Sequence, residues 1–576
     1  MLNFVNMSYC YAKIFNMSRV KLFLVLIIFL ATVLRLYQLG KTPIGLEWDE
    51  VALGYDAFSI LKTGRDQFMK LLPTTFRSLD DYKPPIYEYI AVPSIGLFGL
   101  NAFATRFPSA FFGILTVIAT FGLTFLIARR LFASQKAATT VTLLASFLLA
   151  ISPWHLQFSR AAFEVNVSVF ITVIAVSAFL AGLAKPKFFI LAAFLFGLDL
   201  FSYHSTRVVA PLLLISLFFL FNRYLPERKY IFLFFMIFGT FFLFFLPILT
   251  SPEAQIRFKA TNIFDPGARY LDEKDLPKIF LERRGQDKNF GFELAGKIFH
   301  NQRLIFLDYD TLKKSFNNYI SNFGFDYLFI TGDAPLHHAP GFGLLYIWEF
   351  PFLLAGFLYI LFKGLNRYTL LLLLWLLFVP IPNAVTREAP HSVRTELFLP
   401  VFQIITAVGI FIVLRFIRHE KKWVVLSFIA ATSFFLLINN SFYLHQYYVH
   451  TNLELSKNWF YGRKEAVEIT ERLKNDYDKV LVSMNVDMPY IFWLFYSKYD
   501  PKKYLAEGGT VSGGFADERN NFDKYEFRNF NYNSLPKDQR LLLVGTTRDF
   551  PPDADILNVI HYLDGSIALK IGKNKL

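Results

Sequence analysis

Apolar runs long enough, or nearly long enough, to cross a bilayer recur along the chain, and they restrict it to a membrane protein. A spanning helix needs roughly 20 mostly apolar residues. With 69 Phe among 576 residues and only 18% charged residues, the sequence has too little charge to cover a soluble protein of this length. We predict an all-α polytopic membrane protein with about eleven transmembrane helices. The predicted spans are 20–39, 103–128, 138–152, 165–184, 187–203, 208–222, 230–249, 342–363, 368–382, 397–417 and 422–442.

Basic residues concentrate in alternate loops between these runs and set the expected orientation. The net charge of +14 would suggest a nucleic-acid partner in a soluble protein. In a membrane protein the same charge follows from the positive-inside rule, so we expect no nucleic acid. The rule predicts a multi-pass protein of the plasma membrane with a cytoplasmic N-terminus. Loops 40–102 and 250–341 then face the extracytoplasmic side.

The N-terminal part of the chain supports two further predictions. The first run, 20–39, exceeds a typical signal-peptide core and precedes no small-residue cleavage site, so we expect a retained helix. The one cysteine, Cys10, excludes an intrachain disulfide and a cysteine-based zinc site.

We assign residues 1–442 to the membrane domain and 443–576 to a small extracytoplasmic α/β domain. The latter assignment rests on a helix predicted at 463–475 and on strands predicted at 479–485 and 541–544. Segment 87–100 is apolar but short and contains Pro93, which favours an interfacial or re-entrant helix.

Charged residues gather in the first outer loop, where two short motifs suggest chemistry. Trp48-Asp49-Glu50 follows the first span, and Lys83-Pro84-Pro85 lies further along the loop. A carboxylate pair and a lysine at a membrane interface suit acid–base chemistry on a phosphate-bearing lipid, with Asp49 as base and Lys83 at the phosphate. The double proline restricts the backbone and presents Lys83. The residues alone leave open a helix N-cap or a solvated loop.

An ordered set of motifs around these residues resembles one group of membrane enzymes. The segments are LRLYQLGKTPIGLEWDEVALGYDAFSILKTGRD and RSLDDYKPPIYEYIAVPSIGLFGLNAFATRFPSAFFG. Together they look like the N-terminal signature of GT-C fold glycosyltransferases, and they are most similar to the superfamily of protein O-mannosyltransferases and ArnT-like aminoarabinose transferases. The similarity is strong over about 20–130 and extends more loosely to about 420.

The resemblance implies a GT-C fold and an inverting transfer of sugar from a polyprenyl-phosphate donor to an acceptor hydroxyl outside the cytoplasm. Asp49 matches the catalytic base of the family, and Glu50 is the neighbour that orients the loop. Lys83 matches a lysine that contacts the donor phosphate in the aminoarabinose branch, where mannosyltransferases carry histidine. Further candidate site residues are Asp81, Tyr82, Arg160, Glu164, Tyr203 and Arg207.

Some of these candidates have a second interpretation. Glu164 is also typical of a favourable charge at a helix N-terminus, and relatives more often carry Asp there. Tyr203 and Arg207 are also typical of an interfacial aromatic anchor beside a residue that binds lipid headgroups.

A second cluster lies in Val379–Pro400, at the predicted outer mouth of two helices. Arg387, His391 and Arg394 are predicted to clamp the donor phosphate, because arginine forms bidentate bonds with phosphate oxygens. The alternative is an interfacial cluster that binds lipid headgroups. Asp333, His337 and His338, together with Glu164, are candidate ligands of a divalent metal ion, although their spacing is not diagnostic.

Three motifs of soluble nucleotide-dependent enzymes are missing from the sequence: a Walker A loop, a dinucleotide fingerprint and a D-x-D motif before a strand end. A lipid-linked donor requires none of them. The acceptor stays open between a lipid, a glycan and a protein hydroxyl. Two other functions are a lipid-linked glycan polymerase or ligase and, less favoured, a transporter, which would predict internal repeats and broken helices.

Overall fold

A computed structural model describes residues 18–78, 81–251, 261–264, 276–300, 309–512 and 520–575. It confirms a mostly helical chain with a small α/β region near the C-terminus. The longer helices up to residue 299 are Ser18–Leu36, Trp48–Thr63, Ile86–Phe98, Ala102–Leu131, Gln135–Ile151, Pro153–Arg160, Glu164–Gly182, Lys187–Asp199, Thr206–Phe221, Arg228–Thr250, Leu276–Asn289 and Glu293–Phe299. They are followed by Tyr309–Ser321, Phe325–Phe329, Phe350–Phe362, Arg367–Phe378, Ile381–Ala384, Ser392–Thr395, Val401–Ile417, Lys422–His445 and Thr451–Glu454.

Each predicted span overlaps one of these helices. The span predicted at 342–363 begins too early, because its α-helix is Phe350–Phe362. Within the described residues, six helices are long and apolar enough to cross a membrane, or up to eight if each of two bent helix pairs is one span. The bent pairs turn by 53° between Gln135–Ile151 and Pro153–Arg160, and by 48° between Ser392–Phe398 and Val401–Ile417. The remaining apolar helices are shorter or, like Ser18–Leu36, carry three basic residues. The count of eleven spans therefore stays a prediction.

The helix Ile86–Phe98 corresponds to the short apolar segment of the first outer loop. It has 13 residues and contains Pro93. At about 1.5 Å per residue it is about 20 Å long, which is less than the roughly 30 Å of a bilayer core. Its length therefore suits an interfacial or re-entrant helix better than a full span.

The C-terminal region forms a five-stranded mixed sheet with short helices. Strand β3 (Lys479–Val482) lies between β4 (Tyr525–Phe527) and β5 (Leu541–Gly545) and is parallel to both. Antiparallel β7 (Ile567–Lys573) and β6 (Asp555–His561) complete the order β4-β3-β5-β7-β6. The accompanying helices are Arg463–Leu473, Pro489–Ser497 and Pro501–Ala506.

The C-terminal sheet region packs directly against the loop 40–102. The helix Pro489–Ser497 lies on the helix Trp48–Thr63, where a Cβ atom added to Gly54 would lie 2.6 Å from the ring of Phe495. The hydroxyl of Tyr55 donates to the backbone carbonyl of Tyr499 at 3.1 Å. One hydrophobic core thus continues from the membrane helices into the C-terminal domain.

Candidate active site

Asp49 and Glu50 lie in the first turn of the helix Trp48–Thr63, and a capping box determines where this helix begins. The Glu47 carboxylate accepts a hydrogen bond from the backbone N–H of Asp49 (2.7 Å), and the Glu50 carboxylate accepts one from the backbone N–H of Glu47 (3.2 Å). The N-cap alternative is thus partly realised, but through Glu47 and Glu50. The side chain of Asp49 stays 41% exposed and accessible to a substrate.

Glu50 is anchored by a buried ion pair with Arg106, a residue of the long apolar helix Ala102–Leu131. Nε and Nη2 of Arg106 each lie 2.8 Å from a Glu50 carboxylate oxygen, and the backbone N–H of Ala162 donates to the same carboxylate at 2.8 Å. This bidentate pairing offsets the free-energy cost of removing the Glu50 and Arg106 charges from water. Arg106 also donates to the backbone carbonyls of Leu39, Pro43 and Gly45.

Lys83 reaches the same place from a short antiparallel hairpin, β1 (Phe76–Arg77) and β2 (Tyr82–Lys83). Its ammonium lies 2.8 Å from Oδ2 of Asp49 and 3.8 Å from Oε1 of Glu164. The Lys83 side chain is only 7% exposed, so this charge sits mostly out of water between two carboxylates. The structure therefore brings together three of the predicted site residues from separate segments.

Glu164 supplies the third side of this cluster from the first residue of the helix Glu164–Gly182. A carboxylate in the first turn interacts favourably with the helix dipole. Its side chain is 10% exposed and lies within ion-pair distance of Lys83. Glu164 therefore lies at a helix N-terminus and beside Lys83, and its part in the site stays a prediction.

Asp81 and Tyr82 occupy the hairpin that carries Lys83. The Asp81 carboxylate accepts from the backbone N–H of Tyr82 at 2.8 Å, and the carbonyl of Asp81 accepts from Ser78 at 2.8 Å. These bonds fix the residues that directly precede Lys83.

A second polar cluster joins Asp333, His337 and His391. The Asp333 carboxylate lies 2.8 Å from Nδ1 of His337 and accepts from the backbone N–H and hydroxyl of Ser392 at 2.7 and 2.9 Å. Burial raises the pKa of Asp333, but the hydrogen bond and charge of His337, the Ser392 N–H and the charge of His391 outweigh it and lower the pKa to about 2. The imidazole rings of His337 and His391 have centroids 4.9 Å apart.

This second cluster has the donor set of a metal site. One ligand atom from each of Asp333, His337 and His391 lies within 4.8 Å of the other two. Two imidazoles and a carboxylate suit Zn²⁺ and similar divalent ions. His338 lies outside the set, because its Nδ1 is 3.1 Å from the carbonyl oxygen of Ala339. Glu164, the other predicted metal ligand, belongs to the Lys83 cluster.

The two clusters are joined through Phe163, the residue before Glu164. Its ring centroid lies 6.0 Å from that of His337 in an edge contact.

Arg394 lies in the helical turn Ser392–Thr395 beside the second cluster. Its guanidinium donates to the hydroxyl of Thr386 at 2.8 Å, to the Glu388 carbonyl and, at 3.3 Å, to the Glu388 carboxylate. The backbone N–H of Arg387 donates to the Thr261 carbonyl at 2.8 Å.

Arg160 is fully buried and is directed at backbone carbonyls. It donates to Leu34 (2.9 Å) and Arg35 (3.0 Å), which end the helix Ser18–Leu36, and to Thr42 (3.0 Å). A guanidinium at carbonyls near a helix C-terminus satisfies orphan acceptors and complements the dipole. Arg160 thus ties the first helix to the site region.

Tyr203 and Arg207 lie near the end of the helix Lys187–Asp199 and the start of the next one. Tyr203 is buried. Nη1 of Arg207 is 3.0 Å from Nδ1 of His204, and its guanidinium lies 5.2 Å from the centre of the Phe245 ring. These contacts hold both side chains at this helix junction.

Sequence reasoning missed Trp459 and Phe460, and it assigned no role to Arg106. An arginine at the start of a long apolar helix is a signal that could have indicated a buried pair for Arg106. Trp459 is fully buried with Arg106 5.5 Å from its ring, and the Phe460 ring lies 5.1 Å from Trp48. A tryptophan and a phenylalanine carry no comparable signal in an aromatic-rich chain.

Comparison with known proteins agrees with this architecture. Residues 82–250 match the family described as dolichyl-phosphate-mannose-protein mannosyltransferase. The fold is similar to that of ArnT from Cupriavidus metallidurans in the apo state, with 12% identity, coverage of 96% of this chain and 98% of that one, and a TM-score of 0.52. The same enzyme bound to undecaprenyl phosphate matches with 13% identity, 95% and 97% coverage, and a TM-score of 0.51. No curated protein matches the chain by sequence.

The family match covers the Lys-Pro-Pro motif and the helices that carry Arg106 and Glu164, and the structural match extends over nearly the whole chain. The chain is therefore a multi-pass membrane protein with the GT-C fold, and its residues 82–250 are similar to the mannosyltransferase family.

Proposed function

We propose that this chain transfers a sugar, with inversion, from a polyprenyl-phosphate donor to an acceptor hydroxyl on the extracytoplasmic face of the membrane. The observation that supports this most is the pairing of a half-exposed carboxylate, Asp49, with a buried lysine, Lys83, at 2.8 Å. A base that solvent can reach and a cation beside it are the two groups that this displacement requires.

Asp49 acts as the general base. Its carboxylate takes the proton of the acceptor hydroxyl while that oxygen attacks the anomeric carbon of the donor. The bond between the anomeric carbon and the phosphate oxygen breaks, and its electron pair leaves with the polyprenyl phosphate. Attack from the side opposite the leaving group inverts the anomeric centre.

Lys83 stabilises the departing phosphate. It now neutralises Asp49 and lies 3.8 Å from Glu164. When a donor phosphate approaches, it competes with Asp49 for the ammonium, because a lysine is a point charge that changes partners easily. Donor binding would thereby release the Asp49 carboxylate to accept a proton, while Glu164 keeps Lys83 in place.

Arg394, with Arg387 and His391, forms the second part of the phosphate site in this proposal. The Arg394 side chain is 13% exposed and its ion-pair partner Glu388 is 76% exposed, so their 3.3 Å contact is weak. A phosphate could displace Glu388 and bind Arg394. The alternative is that these groups bind lipid headgroups.

The proposal also covers the class of donor, the side of the membrane on which the site lies, and the parts of the chain outside and within the membrane. The similar enzyme ArnT has been solved with undecaprenyl phosphate bound, which supports a polyprenyl carrier here. The basic loops support extracytoplasmic placement of the site and of residues 443–576. The acceptor is a lipid, a glycan or a protein hydroxyl, and membrane lipids surround the spanning helices within residues 1–442.

The test is a transfer assay with the purified full-length chain and short-chain polyprenyl-phosphate sugars, screened against these acceptor classes. Wild type is expected to release polyprenyl phosphate only with its acceptor, and Asp49→Asn to abolish release while donor binding persists. Asp553→Asn, which removes an exposed carboxylate paired with Lys575, is the matched control. Normal turnover by Asp49→Asn would overturn the assigned base, and repeated addition of sugar units would identify a polymerase.

A further inference from the structure

Five residues that enter the C-terminal domain, Trp459–Arg463, form a strap across the first outer loop. Trp459 is fully buried, and its backbone carbonyl occupies the space in front of Gly45, where an added Cβ would lie 1.8 Å from the oxygen. Only glycine allows so close a backbone approach. The strap is therefore in direct contact with the loop four residues before Asp49.

Trp459 covers the anchor of Glu50. The guanidinium of Arg106 lies 5.5 Å from the centre of its ring. Trp459 also belongs to one buried cluster with Ala161, and Phe163 packs against this cluster. Ala161 and Phe163 lie on either side of the Ala162 N–H that donates to Glu50. Trp459 thus shields from water the groups that hold Glu50, and shielding strengthens their attraction.

Phe460 holds the residue beside the proposed base. Its ring centroid is 5.1 Å from that of Trp48, which directly precedes Asp49, and 5.4 Å from that of Phe492 in the C-terminal domain. Phe460 adopts a φ of 52°, a conformation that is unfavourable for a side chain of this size. Backbone strain of this kind persists only where surrounding contacts hold it, and it gathers at functional sites.

The other side of the strap is held by the folded C-terminal domain. Phe492 belongs to the helix Pro489–Ser497, which packs on the helix Trp48–Thr63. The first turn of the helix Trp48–Thr63 is therefore held by two contacts. Arg106 pairs with Glu50, and the ring of Phe460 packs on that of Trp48. A C-terminal domain that only bound the acceptor would not need these contacts with the helix that carries Asp49.

We infer that Trp459 and Phe460 are positioning residues, through which the C-terminal domain holds Asp49 in its geometry beside Lys83. The inference rests on the proposed function for its catalytic consequence. It makes Trp459 and Phe460, which lie where the chain enters the C-terminal domain, part of the catalytic unit.

The experiment compares Phe460→Gly, Phe460→Tyr and Phe550→Ala in the full-length protein. Glycine removes the ring contact and accepts the positive φ without strain, and tyrosine keeps the ring. Phe550 lies in a separate core on the C-terminal sheet and is the matched control for loss of a buried aromatic. Because a displacement of about 1 Å can cost about 100-fold in rate, Phe460→Gly is expected to lower kcat roughly 10- to 100-fold.

The KM for the donor is expected to change less than about twofold, since Lys83 and Arg394 are untouched. Phe460→Tyr is expected to restore kcat, and Phe550→Ala to lower the Tm but not kcat. An unchanged kcat in Phe460→Gly, or an increase in acceptor KM alone, would overturn the inference. If Phe460→Gly does not fold, Phe460→Leu is judged by the same criteria.

Hydrogen–deuterium exchange of residues 45–55 provides a readout that needs no turnover. Exchange there is expected to rise in Phe460→Gly and to stay at the wild-type level in Phe550→Ala. Equal exchange in wild type and Phe460→Gly would overturn the inference, even if the enzyme is active. Raised exchange in Phe460→Gly, together with a wild-type protein that transfers no sugar, would leave the positioning contact standing and reject the proposed function instead.

Discussion

The ammonium of Lys83 lies 2.8 Å from the carboxylate of Asp49, and the two residues come from different segments of the loop 40–102. In the proposed reaction Lys83 serves the donor and Asp49 the acceptor. Lys83→Met is therefore expected to raise the donor KM at least about tenfold, through loss of a charge-assisted contact with phosphate. Lys83→Arg is expected to retain most donor binding, and a donor KM unchanged in Lys83→Met would remove the phosphate role. Initial-rate kinetics with a short-chain polyprenyl-phosphate sugar measure the effect.

Glu50→Gln is expected to destabilise the protein, because it leaves Arg106 buried without its partner charge. Breaking one side of such a pair costs about 3–5 kcal/mol. The double variant Glu50→Gln, Arg106→Gln is expected to recover part of that loss. Thermal unfolding in detergent measures both; a single variant as stable as wild type would show that the pair contributes no net stability.

Asp56 predicts a pH dependence of stability. Burial, and then the negative charge of Asp66, raises its pKa well above the ordinary value of 3.8, while hydrogen bonds from Gln67 partly oppose this. A raised carboxyl pKa means that the folded state holds the proton more tightly. Protonated Asp56 therefore contributes its full stability below about pH 4. This contribution is lost as the pH rises through the raised pKa of Asp56.

Asp56→Asn keeps a neutral group at this position and is expected to flatten that decline. The Tm of wild type and variant, measured from pH 4 upward, tests this. Parallel Tm curves would contradict the raised pKa. Asp564→Asn, on the exposed surface, serves as the control.

Asp333, His337 and His391 predict a bound divalent ion. Metal analysis of the purified protein is expected to find about one Zn²⁺ or similar ion per chain, and loss of it in Asp333→Asn and His337→Ala. His338→Ala, whose ring points to the Ala339 carbonyl, is expected to keep the metal. Equal metal content in all of these proteins would reduce the cluster to a hydrogen-bonded Asp–His pair.

Gly409 lies where the helices Phe350–Phe362 and Val401–Ile417 cross closely. A Cβ atom there would lie 1.8 Å from the carbonyl oxygen of Phe352, and one on Gly356 would lie 2.0 Å from that of Ile405. Small residues let the helices Phe350–Phe362 and Val401–Ile417 approach this closely. Gly409→Ala is expected to lower the Tm by several degrees, as overpacking costs about 1–3 kcal/mol. Gly239→Ala, with open space around it, is the control.

Much of the architecture was predictable because it depends on local sequence. A long apolar run must be helical in a bilayer, whatever it packs against. The strands at β3 and β5 and the helix Arg463–Leu473 followed from short local patterns in the same way. Arg160 illustrates the limit: its place in the sequence suggested the site, and its guanidinium is directed at the end of the first helix.

Residue types and motif order were sufficient to nominate Asp49, Lys83 and Glu164 individually. Their meeting was decided by tertiary structure alone, because it depends on how a helix start, a hairpin and a second helix pack together. The same holds for His391, which the sequence grouped with two arginines and the fold places beside His337. The contact of Phe460 with Trp48 joins parts of the chain that no local pattern connects, since long-range packing depends on shape and burial rather than on spacing.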